Sequence, residues 1–271
     1  MTFLFFMKIC SVPYYNTLPL TWFLDAVFPD LTLTTDYPAK LADRLRRHDC
    51  DIAMMPVGSL PGLEEGTLIG DICLGCRGAV GSVLLFSRKS PDEIRTLALD
   101  SDSRTSAVLG QILLKHYYGN PDFQTQPLSR TDSLENLAAD ACLVIGDRAL
   151  TYPPENVAWP MRFDLGELWL RHTGLPFVFA AWITANRDIA GDAQTAMKLG
   201  KARDLGIQNL AVIAQETVRN QRFGNTLFTY PVTQEQLLRY YRENMVYLMT
   251  DAHRRGLQLY FELGKRYHLF V

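Results

Sequence analysis

Short apolar runs alternate with helical patterns over residues 8–55, and this order restricts the chain to an α/β fold. The predicted strands are 8–12, 31–35 and 51–55, and the predicted helices between them are 18–27 and 39–47. Strands that are separated by helices pair in parallel, with the helices on the faces of the sheet. The first part of the chain therefore predicts a parallel sheet covered by helices.

A second alternating unit follows in the middle of the chain, and the last third is helical. The further predicted strands are 68–73, 80–87, 96–99, 123–127, 141–145 and 177–184, and the further predicted helices are 105–118, 192–204, 207–220, 234–249 and 251–263. Asp192 is the expected N-cap of the first C-terminal helix. We predict two α/β lobes, with residues 1–90 plus 185–271 in lobe one and 91–184 in lobe two. A small ligand then fits the central cleft at the hinge between them.

The nearly balanced net charge argues against nucleic acid as a partner. The chain has 29 acidic and 27 basic residues, which gives a formal net charge of −2. No broad basic field is present for nucleic acid, and the cluster of Arg44, Arg46 and Arg47 is typical of a solvated helix face. An anionic ligand must therefore be held by a few local groups.

The cysteines and histidines predict no metal and no cofactor. Five cysteines are scattered along the chain, and Cys73 and Cys76 form a C-x-x-C without a second such pair or a nearby histidine pair. Glycine motifs for a nucleotide or dinucleotide are also missing from the sequence. Buried thiols in a reducing compartment are the simpler interpretation.

The apolar residues 1–6 are too few to span a membrane and lack a preceding basic region. No run in the sequence reaches the roughly 18 apolar residues of a transmembrane helix. We expect a cytoplasmic protein without membrane contact.

Polar residues follow several predicted strands, where an open α/β sheet binds its ligands. Asn16 comes after the first strand and just before a helix. Ser103, Arg104, Thr105 and Ser106 come after strand 96–99 at the start of an apolar helix. Hydroxyls and free N–H groups at a helix start favour an anion, and an arginine adds a charge-assisted contact to a carboxylate. The alternatives are an ordinary cap or turn at Asn16 and an elaborate N-cap with an exposed arginine at 103–106.

Three more residues are weaker candidates. Gly146 and Asp147 follow strand 141–145, where a glycine allows close approach of the backbone to a ligand and the carboxylate either caps the next turn or accepts a ligand hydroxyl. Ser82 lies at the start of an apolar strand, from which its hydroxyl is expected to reach the cleft.

Six segments, in order along most of the chain, together resemble the chorismate dehydratases of the futalosine route to menaquinone, the MqnA family. The segments are residues 12–20, 81–87, 98–100 with 103–106, 145–150, 164–166 with Trp169, and 173–180. One departure is Pro13, where the family more often has serine. The resemblance implies a periplasmic-binding-protein-like (type II) fold, two α/β lobes around a central cleft.

The resemblance also implies an activity and a set of site residues. The activity is that of a cofactor-independent carbon–oxygen lyase, which removes water from chorismate to give 3-enolpyruvylbenzoate. Asn16 and Ser82 then contact the reacting part of the substrate, residues 103–106 hold a carboxylate, and Gly146 and Asp147 border the pocket. The alternatives are a non-catalytic carboxylate-binding protein and the related futalosine-pathway enzyme that acts on a later intermediate.

The identity of the proton acceptor stays open in the sequence. The candidate residues are mostly neutral donors, and the product of this elimination is aromatic, so positioning matters more than a strong acid or base. Either the side-chain carboxylate of the substrate takes the ring proton, with Asn16 and Ser82 orienting it, or Asp147 does.

Overall fold

The computed structural model describes residues 7–153, 158–223 and 226–270, so the apolar residues 1–6 lie outside it. The strands are β1 Met7–Ser11, β2 Leu31–Thr35, β3 Ile52–Pro56, β4 Thr67–Cys76, β5 Val83–Ser87, β6 Thr96–Asp100, β7 Gln124–Leu128, β8 Ala141–Ile145, β9 Met161–Asp164, β10 Phe177–Thr184, β11 Arg222–Phe223, β12 Thr226–Leu227 and β13 Val246–Leu248. The helices are α1 Leu18–Thr21, α2 Leu24–Val27, α3 Pro38–Arg46, α4 Arg104–Ile112, α5 Gly146–Thr151, α6 Leu165–Thr173, α7 Arg187–Ala190, α8 Ala193–Gln208, α9 Leu210–Asn220, α10 Gln234–Arg239 and α11 Asp251–Arg266.

The sheet of lobe one has six strands in the order β13-β4-β10-β3-β1-β2. β1 pairs in parallel with both β2 and β3, as the alternating pattern predicts. β10 is antiparallel to both β3 and β4 and occupies the middle of the sheet. All but one of its residues are buried, which suits an uncharged strand with neighbours on both sides.

The sheet of lobe two has five strands in the order β7-β6-β8-β5-β9. β6 is parallel to β7 and to β8, whereas β5 is antiparallel to β8 and β9. The carboxyl ends of β6 and β8 therefore lie at the same edge. This edge carries the starts of α4 and α5, which face lobe one.

Two strands lie in the other lobe from the one that the sequence predicts. β5 falls within the predicted lobe one but pairs in the second sheet, and β10 falls within the predicted lobe two but pairs in the first. The physical reason is that strand partners are non-local, because β10 pairs with β3 and β4 from far earlier in the chain. The chain thus crosses between lobes directly after β4 and again before β10.

The first crossing, residues 77–82, is held by a partly buried carboxylate. Asp164 accepts the N–H groups of Val80 at 3.0 Å and Gly81 at 2.7 Å, and it also caps α6. Gly81 has a φ of +73°, in the left-handed region that favours glycine. Burial raises the pKa of Asp164 above its usual value, while these N–H donors oppose the rise.

The C-terminal region differs from the predicted helix 234–249. α10 ends at Arg239, a π-helical turn Tyr240–Asn244 follows, and β13 then pairs with β4 at the edge of the first sheet. The predicted helix 18–27 is likewise two short helices, α1 and α2. Asp192 caps α8 as predicted, accepting two N–H groups of its first turn.

One large hydrophobic cluster runs through both lobes. It includes Ile9 and Met54 from the first sheet, Leu97 and Leu143 from the second, and the fully buried Trp169. Such a shared core holds the two sheets in one arrangement around the cleft. Within the described ranges, no helix has the length and apolar character that crossing a membrane demands.

Candidate functional site

A cavity lies between the two sheets, with residues of both lobes in its wall. It contains about 570 Å³ of space not filled by atoms, including the part open to solvent. Its apolar wall includes Val12, Met54, Leu74, Val83, Phe179 and Met245, and its polar wall includes Asn16, Ser82, Ser103, Thr105 and Ser106. We call this space the inner cavity. It brings together six of the eight site residues that the sequence predicts, namely these five polar residues and Gly146.

Asn16 lies in a single 3-10 turn, Tyr15–Thr17, between β1 and α1. Its side-chain oxygen Oδ1 is buried and has no hydrogen-bond partner among the described residues. A buried polar atom of this kind normally has a partner, in the protein or in a bound molecule. A ligand hydroxyl or N–H group in the inner cavity fits this acceptor.

Ser82 is buried at the end of the first crossing, next to β5. Its Oγ lies 2.7 Å from the Tyr240 hydroxyl, and either group is able to donate in this bond. When Tyr240 donates, the Ser82 hydroxyl is free to donate its own proton into the cavity. Ser82 therefore supplies a neutral donor in an apolar wall.

The start of α4 presents hydroxyls and N–H groups to the inner cavity. Ser103 is the N-cap, and its Oγ accepts the N–H of Ser106 at 3.2 Å. No described residue hydrogen-bonds the Ser106 hydroxyl, which belongs to the cavity wall. The first N–H groups of a helix have no carbonyl partner within it, and the helix dipole favours negative charge there. This end of the cavity suits a carboxylate.

Thr105 joins the lobes with its side chain. Its Oγ1 accepts the N–H of Gly58 at 2.9 Å and donates to the carbonyl of Phe179 at 3.0 Å, both in lobe one. Because this hydroxyl has used its proton, it has no donor left for a ligand. Thr105 lines the cavity, and its hydroxyl shapes the wall.

Arg104 does not line the inner cavity. It is exposed and lies in a separate surface depression with Val108, Leu269 and Phe270. The first helical residue after the cap points away from the side on which Ser103 and Ser106 lie, because successive residues are about 100° apart on a helix. The predicted carboxylate contact of Arg104 therefore has no support in this geometry.

Gly146 forms part of the wall at the start of α5, with a φ of +64°. A Cβ built on this residue lies 3.0 Å from the ring of Tyr14. Both its backbone conformation and the close approach of this ring require glycine. Tyr14 thereby packs against the second lobe.

Asp147 is buried beside the inner cavity but does not line it. Its Oδ1 accepts the N–H of Tyr15 at 3.0 Å, which holds the turn that carries Asn16. Burial raises the pKa of Asp147 to about 8, and the Tyr15 N–H and Arg130 oppose the rise. This carboxyl faces a second space, described next.

An outer compartment adjoins the inner cavity, and Tyr14 and Ile145 belong to the walls of both. Its ionisable wall residues are Asp36, Asp100, Asp147, Arg130 and Arg148. Arg148 donates to the carbonyls of Ser129 and Asp132, and burial raises the pKa of Asp100 to about 6. The charged groups of the cleft are thus concentrated in this compartment.

Arg130 makes the principal contact between the lobes in the outer compartment. It donates to the Tyr14 hydroxyl at 2.9 Å, stacks 3.6 Å from the centre of the Tyr37 ring, and forms an ion pair with Asp102. Asp102 also lines the inner cavity. Sequence reasoning missed Arg130, since it follows β7 in a polar loop with no local pattern that marks it as part of a site.

The C-x-x-C motif contributes nothing to the cleft. Cys73 and Cys76 are buried on β4, and burial raises the pKa of both thiols. Across the described ranges, no three His, Cys, Asp or Glu side chains come together as a potential metal site.

Comparison with known proteins shows the family of the chain. The chain matches the menaquinone biosynthesis family over residues 7–266. It is 31% identical over 210 residues to a protein of Thermus thermophilus named chorismate dehydratase, and the match covers 72% of each chain.

Solved structures show the fold. A protein of Archaeoglobus fulgidus has a TM-score of 0.75 at 12% identity, with 97% of this chain and 98% of that one covered. A Candida albicans protein, whose family is described as having the generic periplasmic binding protein fold, has a TM-score of 0.58 at 13% identity, with 98% and 95% covered. The predicted periplasmic-binding-protein-like fold of two lobes is confirmed.

Proposed function

The chain belongs to the menaquinone biosynthesis family, and from that premise we propose that it removes water from chorismate to give 3-enolpyruvylbenzoate. The observation that carries the proposal is the inner cavity, where an unpartnered acceptor, neutral hydroxyls and a helix start face the same space. Chorismate bears a hydroxyl and two carboxylates, which match these groups. The reaction is that of a carbon–oxygen lyase, and we propose that it needs no cofactor.

The helix start orients the substrate. One carboxylate of chorismate accepts the N–H groups of the first turn of α4 and the free hydroxyl of Ser106. The ring then lies against the apolar wall that Phe179 and Met245 provide. Neutral donors suit this task, since they hold a dianion without the desolvation cost of burying a cation.

Asn16 and Ser82 act on the hydroxyl that leaves. The Asn16 oxygen accepts a hydrogen bond from this hydroxyl and fixes its orientation. Ser82, with Tyr240 as its own donor, donates to the hydroxyl oxygen as negative charge develops there. The carbon–oxygen bond breaks as the adjacent ring carbon loses its proton, and the products are one water and an aromatic ring.

Of the two candidate proton acceptors, the geometry favours the substrate. Asp147 accepts the Tyr15 N–H and faces the outer compartment, so it has no direct path to a ring proton in the inner cavity. We therefore propose that the side-chain carboxylate of chorismate takes the ring proton and then passes it to the leaving hydroxide, which departs as water. The position of Asp147 supports a role in holding the turn that carries Asn16.

The test is to incubate the purified protein with chorismate, without added metal or cofactor, and to follow the products by liquid chromatography with mass detection. We expect a product lighter by one water that is absent from a control without protein. Chorismate that stays intact but raises the melting temperature identifies a binding protein instead. Conversion only of a futalosine-derived compound identifies the related pathway enzyme. The proposal includes a cytoplasmic location.

A further inference from the structure

The π-helical turn Tyr240–Asn244 contacts the two segments that carry Asn16 and Ser82. The Tyr241 hydroxyl donates to the carbonyl of Tyr15 at 3.0 Å, next to Asn16. Asn244 Nδ2 donates to the carbonyl of Ala79 at 2.9 Å, in the crossing that ends at Ser82. Single π turns within helices occur frequently at functional sites. This one fastens the C-terminal region to both sides of the inner cavity.

Tyr240 is the residue of this turn that reaches a predicted site side chain itself. Its hydroxyl lies 2.7 Å from Ser82 Oγ, and the nearby Asn16 side chain lowers the pKa of this hydroxyl, against the larger rise caused by burial. The tyrosine is 2% exposed and does not line the inner cavity. We infer that Tyr240 is a positioning residue that holds the Ser82 side chain in one fixed orientation for the reaction. This inference rests on the proposed function.

The physical reason lies in the freedom of the serine side chain. Ser82 has several rotamers of similar energy, and its hydroxyl proton rotates freely when nothing bonds it. A buried hydroxyl 2.7 Å from Ser82 Oγ selects one rotamer of Ser82 and fixes the direction of its proton. Burial raises the pKa of Tyr240, so the hydroxyl stays protonated at neutral pH. It acts as a neutral donor and takes no part in proton transfer to substrate.

The test removes the hydroxyl and keeps the ring. For Tyr240→Phe we expect kcat to fall by about 10- to 100-fold while KM changes by less than about threefold, since misplaced reacting groups slow the chemical step. Tyr247→Phe is the matched control, because the Tyr247 hydroxyl is also buried but has no hydrogen-bond partner among the described residues. The kcat of this control should stay within about twofold of the wild type, because removal of an unbonded hydroxyl breaks no hydrogen bond.

A double-mutant cycle separates positioning from a general loss of packing. If Tyr240 acts through Ser82, the fold-decrease in kcat of the double variant is smaller than the product of the fold-decreases in Ser82→Ala and in Tyr240→Phe. Multiplicative losses would mean that Tyr240 acts independently of Ser82 and would overturn the inference. Equal kcat values for Tyr240→Phe and Tyr247→Phe would also overturn the inference.

A second readout does not depend on activity. Crystal structures of the wild type and of Tyr240→Phe report the χ1 angle of Ser82, and we expect this angle to change or to take several values in the variant. An unchanged single rotamer of Ser82 would overturn the inference, even where the wild type fails to convert chorismate. Failure of conversion by the wild type alone counts against the proposed function.

Discussion

The inner cavity and the outer compartment share one wall and differ in charge. The inner cavity has neutral hydroxyls, one amide and apolar side chains, with Asp102 as its single charged wall residue among those described. The outer compartment has three carboxyls and two arginines. Tyr14 stands between them, with its ring against Gly146 and its hydroxyl bonded to Arg130.

This difference suggests that the two regions have separate tasks, namely orientation of the anion in the inner cavity and its association in the outer compartment. Neutral dipoles orient an anion without fixing its protonation state, which suits an elimination in which the substrate supplies the base. The charged groups of the outer compartment create a field outside the inner cavity, and such a field acts on the association of a dianion more than on chemistry. Changing one region at a time tests this division.

The largest effect should come from placing charge in the neutral region. For Asn16→Asp we expect the affinity for chorismate to fall by about 100-fold at pH 8, because like charges in a desolvated site repel strongly. Titration calorimetry measures this. Asn186→Asp is the control, since it adds the same charge at the N-cap of α7, where aspartate caps as well as asparagine. Equal affinities of the two variants would contradict the division.

Arg130→Gln should have the next largest effect. We expect kcat/KM to fall by about 10-fold with a weaker dependence on salt, because steering by a charge at a cleft mouth is screened by ions. Loss of Arg130 also leaves Asp102 without its partner in the wall of the inner cavity.

The double variant with Asp102→Asn separates the two causes. Recovery of kcat/KM identifies the unpaired Asp102 as the cause, whereas a persistent loss identifies attraction of the substrate by Arg130. An Arg130→Gln variant with the activity and salt dependence of the wild type would refute both.

Gly146→Ala tests the shared wall. Its Cβ meets the Tyr14 ring, whereas a Cβ at Gly119, with nearly the same φ of +62°, has no atom within 4 Å. Backbone strain is therefore common to both alanine variants. We expect the melting temperature of Gly146→Ala to fall by roughly 2–4 °C more than that of Gly119→Ala, since crowding of this kind costs about 1 kcal/mol or more. Equal melting temperatures would show that Tyr14 moves freely.

The smallest effect on activity should come from Asp147→Asn, because the amide oxygen still accepts the Tyr15 N–H. We expect kcat within about twofold of the wild type, and a collapse of kcat would identify Asp147 as the base. Stability should respond to pH. The folded carboxyl keeps its proton up to a pKa of about 8, whereas the unfolded one loses it near pH 4.

The sign of that response follows from the two protonation states. As the pH rises from about 4 to about 8, ionisation of Asp147 favours the unfolded chain. The wild type should therefore lose free energy of unfolding relative to Asp147→Asn across this range, and chemical denaturation at several pH values measures it. A constant difference would show that the carboxyl is already ionised in the fold.

Local sequence patterns predict the bounds of strands and helices better than they predict which strands pair with each other. The bounds of β10 follow from its uncharged sequence, and they agree with the structure. Its place in the first sheet depends on pairing with β3 and β4, which no local pattern encodes. The predicted helix 234–249 is wrong at its end for the same reason, because Val246–Leu248 becomes a strand by pairing with β4.

The site shows the same limit. Asn16, Ser103 and Ser106 follow strand ends, and the rule for open α/β sheets was enough to place them in the cleft. Arg104 looked equivalent in sequence, but its helical position directs it to solvent. Tyr240 lies in a segment with ordinary helical spacing, and only the folded chain shows what its hydroxyl bonds.

The π-helical turn has a consequence for the order in which the site is made during translation. Domains generally fold from the N-terminus as the ribosome extends the chain by about 5–20 residues per second. A nascent chain that has passed lobe two already contains Asn16, Ser82 and the start of α4, but it lacks Tyr240 and β13. The complete site therefore forms only after residue 248 has been synthesised, and shorter chains carry the motif residues without the arrangement.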